Sequence, residues 1–359
     1  MQLLIIQDYL RAGGTEKQSV YVANSLYALG TSVGCMTFRP GGIERALLHI
    51  PGHAIQILQP FDSRLNGWSP GLIRRVRALR PQAILLMGYV ANEKGAQLKR
   101  ALPDSSVIAS VRTSRHLSCA YLQGLTDADS IVVNSRWALN ILVAKHEIQR
   151  EKIIHIDNPL TRHWDEPALS TQRAVERQRL NVADCDCMLI NVAGFRRNKR
   201  QCALIEQFQA LSMGPRWKLF FVGDGPELSK CRRRVQQLQM EDRIAFLGYQ
   251  ADPGNTLAAA DIIVSASQRD AQPNALIEAQ AMGLPVVAFD FAGIGECFLD
   301  GKTGFLVQPG DTDTFLHKIQ LLAEDKSLRH AYGRAAKDWA NAKFNSKNII
   351  EKYINLIYM

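Results

Sequence analysis

The sequence predicts an α/β fold of two doubly wound domains, and three observations carry that expectation. Short β-branched apolar runs alternate with helical stretches almost throughout. The alternation breaks once, at Asn158-Pro159-Leu160, and then resumes. The chain, at 359 residues, also exceeds the ~100–200 residues typical of one domain. Alternating strands and helices are the mark of parallel sheets covered on both faces. Hydrophobic residues at 47% and charged residues at 21% fit ordinary globular domains and exclude a disordered or fibrous chain.

In the first half, strands are expected at residues 2–7, 32–38, 54–58, 83–87, 107–111, 130–134 and 153–156. Helices are expected at 16–29, 71–79, 93–101 and 136–145. Residues 1–160 therefore form a first Rossmann-like domain. Residues 161–184 are polar and mixed, and they read as a linker region merging into a helix near 172–180. A second series follows, with strands at 188–192, 217–222, 244–247, 261–265, 285–289 and 304–307. Its helices fall at 200–211, 227–238, 274–282 and 312–324, with further helices at 327–342 and 346–357. This gives a second Rossmann-like domain at 185–345 and a C-terminal helix, 346–359, expected to pack back on the first domain. Two such domains in tandem are expected to face a cleft, with ligands at the carboxyl ends of the strands.

No apolar run approaches the ~20 residues that cross a bilayer. The start, residues 1–6, lacks a basic lead-in and a small-residue cleavage site, so it reads as a first strand and the protein is expected to be cytoplasmic. Seven scattered cysteines without a C-x-x-C pair point to reduced thiols. Cys185 and Cys187 lie in an Asp-Cys-Asp-Cys segment without further His or Cys ligands nearby, so no metal is expected there.

Net charge is +9 and uneven: residues 1–160 hold 18 Lys and Arg against 11 Asp and Glu, the remainder 25 against 23. The first domain is thus expected to meet something anionic, a membrane surface or a phosphate-bearing lipid. Arg74, Arg75, Arg77 and Arg80 lie beside Trp68, Leu72, Ile73, Val76 and Leu79 at helical spacing. That suits an interfacial helix, and it suits slightly better a solvated helix packed on its own domain. Nucleic acid is not expected, because the basic residues are not interleaved with stacking aromatics.

Chemistry concentrates in residues 265–290, SASQRDAQPNALIEAQAMGLPVVAFD. A strand ends at Ser265, a polar loop carries Asp270, and Pro273 suits a helix start. Backbone N–H groups at Asn274, Ala275 and Leu276 would then make an anion site suited to a diphosphate. Glu278, four residues after Asn274, shares its helix face among apolar neighbours. A buried carboxylate needs a partner, and a ribose diol would serve; a structural Arg is the plainer alternative.

These residues resemble the E-x7-E signature of the retaining GT-B glycosyltransferases, the large family numbered four and also called glycosyl transferases group 1. Ser267, Pro273, Glu278, Ala279, Ala281, Gly283, Pro285, Val286, Val287 and Ala288 match, whereas Asp270 stands for the first Glu and Ala271 for the following Gly. LFFVGDGPE at 219–227 with Gly223, RIAFLGY at 243–249 with Tyr249, and DGKTGFLV at 300–307 resemble further family elements in the same order. Ala292 and Gly295 replace a Gly and a Pro of its G-G-I-P-E run. NVAGFRRNKR at 191–200 resembles the segment whose Arg and Lys neutralise the donor diphosphate in place of a metal. Lys199 fits the Lys, and Gly194 stands at the Arg position, so that charge is sought at Arg196 or Arg197.

The resemblance implies that Glu278 holds the nucleotide ribose and that Asp270 contacts the donor sugar. Gly13-Gly14-Thr15-Glu16 resembles the family's G-G-x-E turn, which places Gly14 on the donor side. Arg112 stands where the family often carries a His, which makes it a candidate for an anionic acceptor group or the sugar. The implied substrates are a nucleoside-diphosphate sugar and a hydroxyl acceptor on a lipid-linked glycan, lipopolysaccharide or surface polysaccharide, with no cofactor. A nucleotide-sugar epimerase of the same architecture, or a weakly active binding subunit of a polysaccharide-assembly complex, are the alternatives.

Overall fold

Four consecutive apolar residues, Leu3 to Ile6, are each 0% exposed, as in a strand covered on both faces of a parallel sheet. The computed structural model describes residues 1–162, 166–211 and 217–358. The strand is β1 (Leu3–Gln7), followed by α1 (Gly14–Ala28), β2 (Val33–Thr37), β3 (Ile55–Ile57) and α2 (Leu72–Leu79). Next come β4 (Ala83–Leu86), α3 (Tyr89–Glu93), α4 (Gly95–Ala101), β5 (Ser106–Val111) and α5 (Cys119–Asp127). Then follow β6 (Ser130–Val133), α6 (Arg136–His146), β7 (Ile153–His155), α7 (Glu166–Arg179), β8 (Cys187–Val192) and α8 (Gln201–Gln209). The series continues with β9 (Trp217–Val222), α9 (Leu228–Gln237), β10 (Ile244–Phe246), α10 (Gly254–Ala259), β11 (Ile262–Ser265) and α11 (Asn274–Ala281). It closes with β12 (Val286–Phe289), β13 (Gly304–Val307), α12 (Thr312–Glu324), α13 (Lys326–Lys343) and α14 (Ser346–Tyr358).

The chain divides into two units, Met1–Thr161 with Asn345–Met359, and Arg162–Phe344. In the first unit all strand pairs are parallel, in the order β3-β2-β1-β4-β5-β6-β7. The order reverses at β1 and β4, which makes the carboxyl ends of those two strands the switch point of the sheet. From α14, Ile349, Ile350, Tyr353, Leu356 and Ile357 pack into one face of this core with Leu3 and Ile5.

Helix α2 uses its apolar side internally. Leu72 and Val76 are buried, with Ile73 and Leu79 against the same core. Arg75 donates to the carbonyl of Ile57 and Arg77 to that of Ala101. The interfacial-helix expectation therefore fails for α2, because its apolar stripe completes its own domain. The exposed apolar side chains lie just before it: Phe61 is 63% exposed, Leu65 62% and Trp68 37%. The loop that carries them is braced from below. Buried Gln59 donates to the carbonyls of Leu65 (2.8 Å) and Trp68 (2.7 Å), and Arg39 reaches both carboxylate oxygens of Asp62 at 2.8 Å. Among the described residues no helix is long and apolar enough to cross a membrane.

The second unit has a six-stranded parallel sheet ordered β10-β9-β8-β11-β12-β13, with its switch point at β8 and β11. Helix α7 occupies much of the stretch expected to be a linker; residues 163–165 of that stretch lie outside the described residues. The helix is docked because its arginines find acceptors. Arg173 donates to the carbonyls of Ala258, Ala259 and Ala260 at the end of α10 and to Asp261, 2.6 Å away. Arg177, 4% exposed, bonds Asp261 and the carbonyls of Ala183 and Asp186. Carbonyls left over at a helix end are natural partners for such guanidinium groups.

Candidate active site

Three loops leave the carboxyl ends of β8, β9 and β10, and glycines let them press together. Gly223 has φ 145° and Gly225 φ 152°. A Cβ on Gly223 would lie 2.1 Å from the Ala193 carbonyl oxygen, and one on Gly225 2.4 Å from that of Phe195. No side chain fits at either position. In return the backbones bond. The Phe195 N–H donates to Asp224 at 2.9 Å, Glu227 to Phe195 at 3.1 Å, and Gly223 to Gly248 at 2.8 Å. Phe195 is fully buried between Phe221 and Phe246, 5.8 and 5.9 Å from their ring centres, and anchors the β8 loop.

Beyond Phe195 the chain runs through exposed Arg196 into a short turn, Arg197–Lys199, and then through Arg200 in the left-handed region (φ 54°) to α8. This turn meets the loop after β11 across the switch point. The Gln268 N–H donates to the Asn198 carbonyl at 2.8 Å, and the Asn198 amide reaches that of Arg269 at 3.3 Å. The Lys199 ammonium stands 2.6 Å from both oxygens of Asp270. The Asp270 carbonyl accepts from Gly293 at 3.1 Å, which ties in the loop after β12. In that loop Ala292 takes φ 53°, where glycine would be unstrained.

Pro273 is extended (φ −71°, ψ 115°) and occupies the position before α11, which begins at Asn274 rather than at the proline. The N-cap residue Pro273 makes no side-chain cap and the first turn carries no acid, so the helix dipole favours an anion. The expected trio of donors is reduced by one. The Leu276 N–H bonds the Pro273 carbonyl at 3.2 Å, and its side chain is in the interior at 3% exposure. Ala275 and Asn274 are half-buried at the helix start, and Glu278 is half-buried one turn on. The fully buried side of α11 is formed instead by Leu276, Ile277, Ala279 and Gln280.

The second unit thus gathers Arg196, Lys199, Gly223, Tyr249, Asp270, Asn274, Ala275 and Glu278 on segments that all leave the same end of one parallel sheet. Tyr249, past the end of β10, is 37% exposed. Gly14 and Arg112 belong to the first unit. Gly14 opens α1, and the carboxylate of nearby Glu16 takes a 3.0 Å bond from Arg11. Arg112 follows β5 and is engaged within its own unit, donating to Asn158 and to the hydroxyl of buried Tyr353 on α14. These two bonds are the contacts of the residue expected to meet an anionic acceptor group or the sugar.

Sequence reasoning missed Asp8, which fills the switch point of the first sheet. Its carboxylate accepts the N–H groups of Val90 (3.0 Å) and Ala91 (2.8 Å), and a Cβ on Gly88 would lie 2.0 Å from it. Burial raises the Asp8 carboxyl, and those two N–H bonds oppose the rise. Its signal was an acid at the carboxyl end of β1, after Leu3 to Ile6 and the buried Gln7. Among the described residues no group of three or more His, Cys, Asp or Glu side chains is placed to hold a metal. Cys185 is exposed while Cys187 is buried, its thiol pushed up to about 12 by burial.

Residues 172–339 match the family model described as glycosyl transferases group 1. The chain is 30% identical over 182 residues to N-acetyl-alpha-D-glucosaminyl L-malate synthase of Bacillus anthracis, an alignment covering 51% of this chain and 48% of that protein. It is 28% identical over 184 residues to the lipopolysaccharide core biosynthesis glycosyltransferase LpsE of Rhizobium meliloti (strain 1021), covering 51% and 53%. The chain thus spans about half the length of these curated relatives. The fold matches the crystal structure of Anabaena Alr3699/HepE in complex with UDP, at 21% identity, full coverage of both chains and a TM-score of 0.83. The two parallel α/β units are therefore the GT-B architecture.

Proposed function

We propose that the protein, whose residues 172–339 match the glycosyl transferases group 1, is a retaining glycosyltransferase that works without a metal. It moves a sugar from a nucleoside-diphosphate sugar to a hydroxyl acceptor on a lipid-linked glycan, lipopolysaccharide or surface polysaccharide. The observation that carries this reading is the convergence at the β8/β11 switch point: a Lys199–Asp270 pair whose Asp270 lies on the loop that leads into the start of α11, with a carboxylate one turn along that helix.

Each group has a role. The start of α11, at Asn274 and Ala275, receives the diphosphate. Glu278 takes the ribose hydroxyls, and Tyr249 borders the base. Lys199 leaves Asp270 when donor arrives and neutralises the diphosphate, assisted by Arg196, so that the charge growing on the leaving group meets fixed cations. Asp270, released, accepts from a sugar hydroxyl. The anomeric carbon–phosphate oxygen bond breaks, the acceptor oxygen bonds the same face, and the departing phosphate oxygen takes the acceptor proton. Gly223 contributes by close packing, since it lets the β9 loop approach the β8 loop. Arg112 is assigned a bracing role through Asn158 and Tyr353. In the first unit, the amino end of α1 at Gly14 is the feature suited to an anionic or hydroxyl group.

The same unit is proposed to meet an anionic membrane surface through Phe61, Leu65 and Trp68, flanked by exposed Arg64 and Arg74. Aromatic rings on a braced loop with basic neighbours suit the headgroup region. Incubation with a panel of labelled nucleotide sugars, with and without membrane extract, tests the proposal. Acceptor-dependent incorporation with retained anomeric configuration is expected. Donor interconversion without acceptor would assign an epimerase instead, and inertness toward every donor would overturn the enzyme reading.

A further inference from the structure

Two cysteine thiols that the transfer chemistry leaves unused are in contact. The sulfurs of Cys202 and Cys231 lie 2.8 Å apart, on α8 and α9, 29 positions from one another in the chain. That is within about 1 Å of a covalent S–S bond. The two sites differ in access: Cys231 is 1% exposed in the core of the second unit, whereas Cys202 is half-buried. A core needs no such pairing, because a buried thiol packs as a small apolar group whatever stands beside it.

The geometry points to a reversible modification site: Cys202 and Cys231 close an intrachain disulfide by exchange with a small-molecule disulfide. Cys202 is the point of entry. Cys202 releases its proton to solvent, and its thiolate attacks one sulfur of the reagent disulfide, forming a mixed disulfide and expelling one thiolate. Cys231, whose thiol burial pushes upward and whose neighbour Cys202 pushes further, resists direct reaction while it is protonated and buried. It acts second. Its proton passes to the expelled thiolate, and its sulfur attacks Cys202 Sγ, which releases the second reagent thiolate to take a proton from solvent. Two protein thiols are oxidised, and one reagent disulfide is reduced to two thiols. The new bond joins α8, which starts just after Lys199, to α9, which follows the Gly223–Gly225 turn, and so fixes the helices behind both loops.

The test uses the full chain, reduced and then equilibrated in graded mixtures of oxidised and reduced glutathione. Remaining thiols are alkylated under unfolding conditions and the proteolytic peptides weighed. The expected product is one cross-linked species joining the Cys202 and Cys231 peptides, reversed by dithiothreitol, with a thermal midpoint several degrees above the reduced protein. Cys231→Ser is expected to stop at a stable mixed disulfide between Cys202 and glutathione, whereas Cys202→Ser leaves Cys231 unmodified. The proposal is overturned if the wild-type chain accumulates glutathione on Cys202 without the cross-link. It is equally overturned if both cysteines stay reduced while exposed Cys119 and Cys185 are modified.

Discussion

Lys199 and Asp270, 71 positions apart in the chain, meet as an ion pair with the ammonium 2.6 Å from each carboxylate oxygen. Both side chains are 18% exposed, so the pair is partly shielded from solvent. A pair of this kind holds a cation ready and keeps it occupied until a stronger anion arrives. The two partners should therefore respond in opposite ways. Lys199→Ala is expected to weaken nucleoside diphosphate binding about 10–100-fold. Asp270→Asn frees the ammonium and should keep or tighten that binding while transfer falls at least about 100-fold. Calorimetric titration beside a transfer assay separates these effects, and equal loss of binding in both variants would count against the exchange of partners.

Glu278 is the residue proposed to hold the ribose. The Glu278→Ala variant should lose about 10–100-fold in affinity for a ribonucleoside diphosphate and little for the 2′,3′-dideoxy analogue. Similar losses for the two ligands would place the carboxylate elsewhere.

Asp261 is a stability residue. Arg173 and Arg177 bond its carboxylate, Arg329 stands at 3.9 Å, and the Met188 N–H donates to it at 2.7 Å. Burial alone would raise this carboxyl, but Arg173, the Met188 N–H and Arg177 outweigh it, and the net direction is below the ordinary 3.8. A depressed carboxyl stabilises the fold fully above its unfolded value, and that contribution disappears as pH falls through the folded value. Replacing it by Asn leaves buried guanidinium charge unmatched and is expected to cost about 3–5 kcal/mol at neutral pH. In denaturant titrations the gap between wild type and variant should narrow below pH 3.8.

Ala292, at φ 53°, holds a turn in which the family resemblance has glycine. Ala292→Gly relieves the left-handed strain and should add about 1 kcal/mol, seen as a higher unfolding midpoint. An unchanged midpoint would mean that the surrounding loop absorbs the strain.

At the loop before α2, Phe61→Ser with Trp68→Ser should reduce sedimentation with anionic vesicles and leave the circular dichroism unchanged. Retained sedimentation would argue against a lipid-facing loop.

The parallel sheets were legible in the sequence because a strand covered on both faces is apolar along most of its length, as at residues 3–6 and Val286–Phe289. The site segments were legible for a related reason: glycines, prolines and charges cluster where strands end, at Lys199, Gly223 and Asp270. What escaped depends on partners far away in the chain. The docking of α7 rests on Arg173 and Asp261, 88 positions apart, and the commitment of Arg112 to Tyr353 spans 241. Helix α5 has no strong apolar period, and it shows itself only through Ser118, whose hydroxyl accepts the Tyr121 N–H. The apolar face of α2 was read correctly as a face, but a periodic stripe does not say whether lipid or protein covers it.

Because α14 supplies Ile349, Tyr353 and Leu356 to the same apolar layer as Leu3 and Ile5, the first unit needs residues made after the whole of the second unit. A ribosome emits Arg162–Phe344 as one uninterrupted stretch, so the second unit has all its parts earlier. The amino-terminal half must wait with an incomplete interior until α14 has been made, the reverse of the usual amino-terminal-first order. Ribosome stalling between Phe344 and the end of α14 would thus leave that half open to chaperones and proteases.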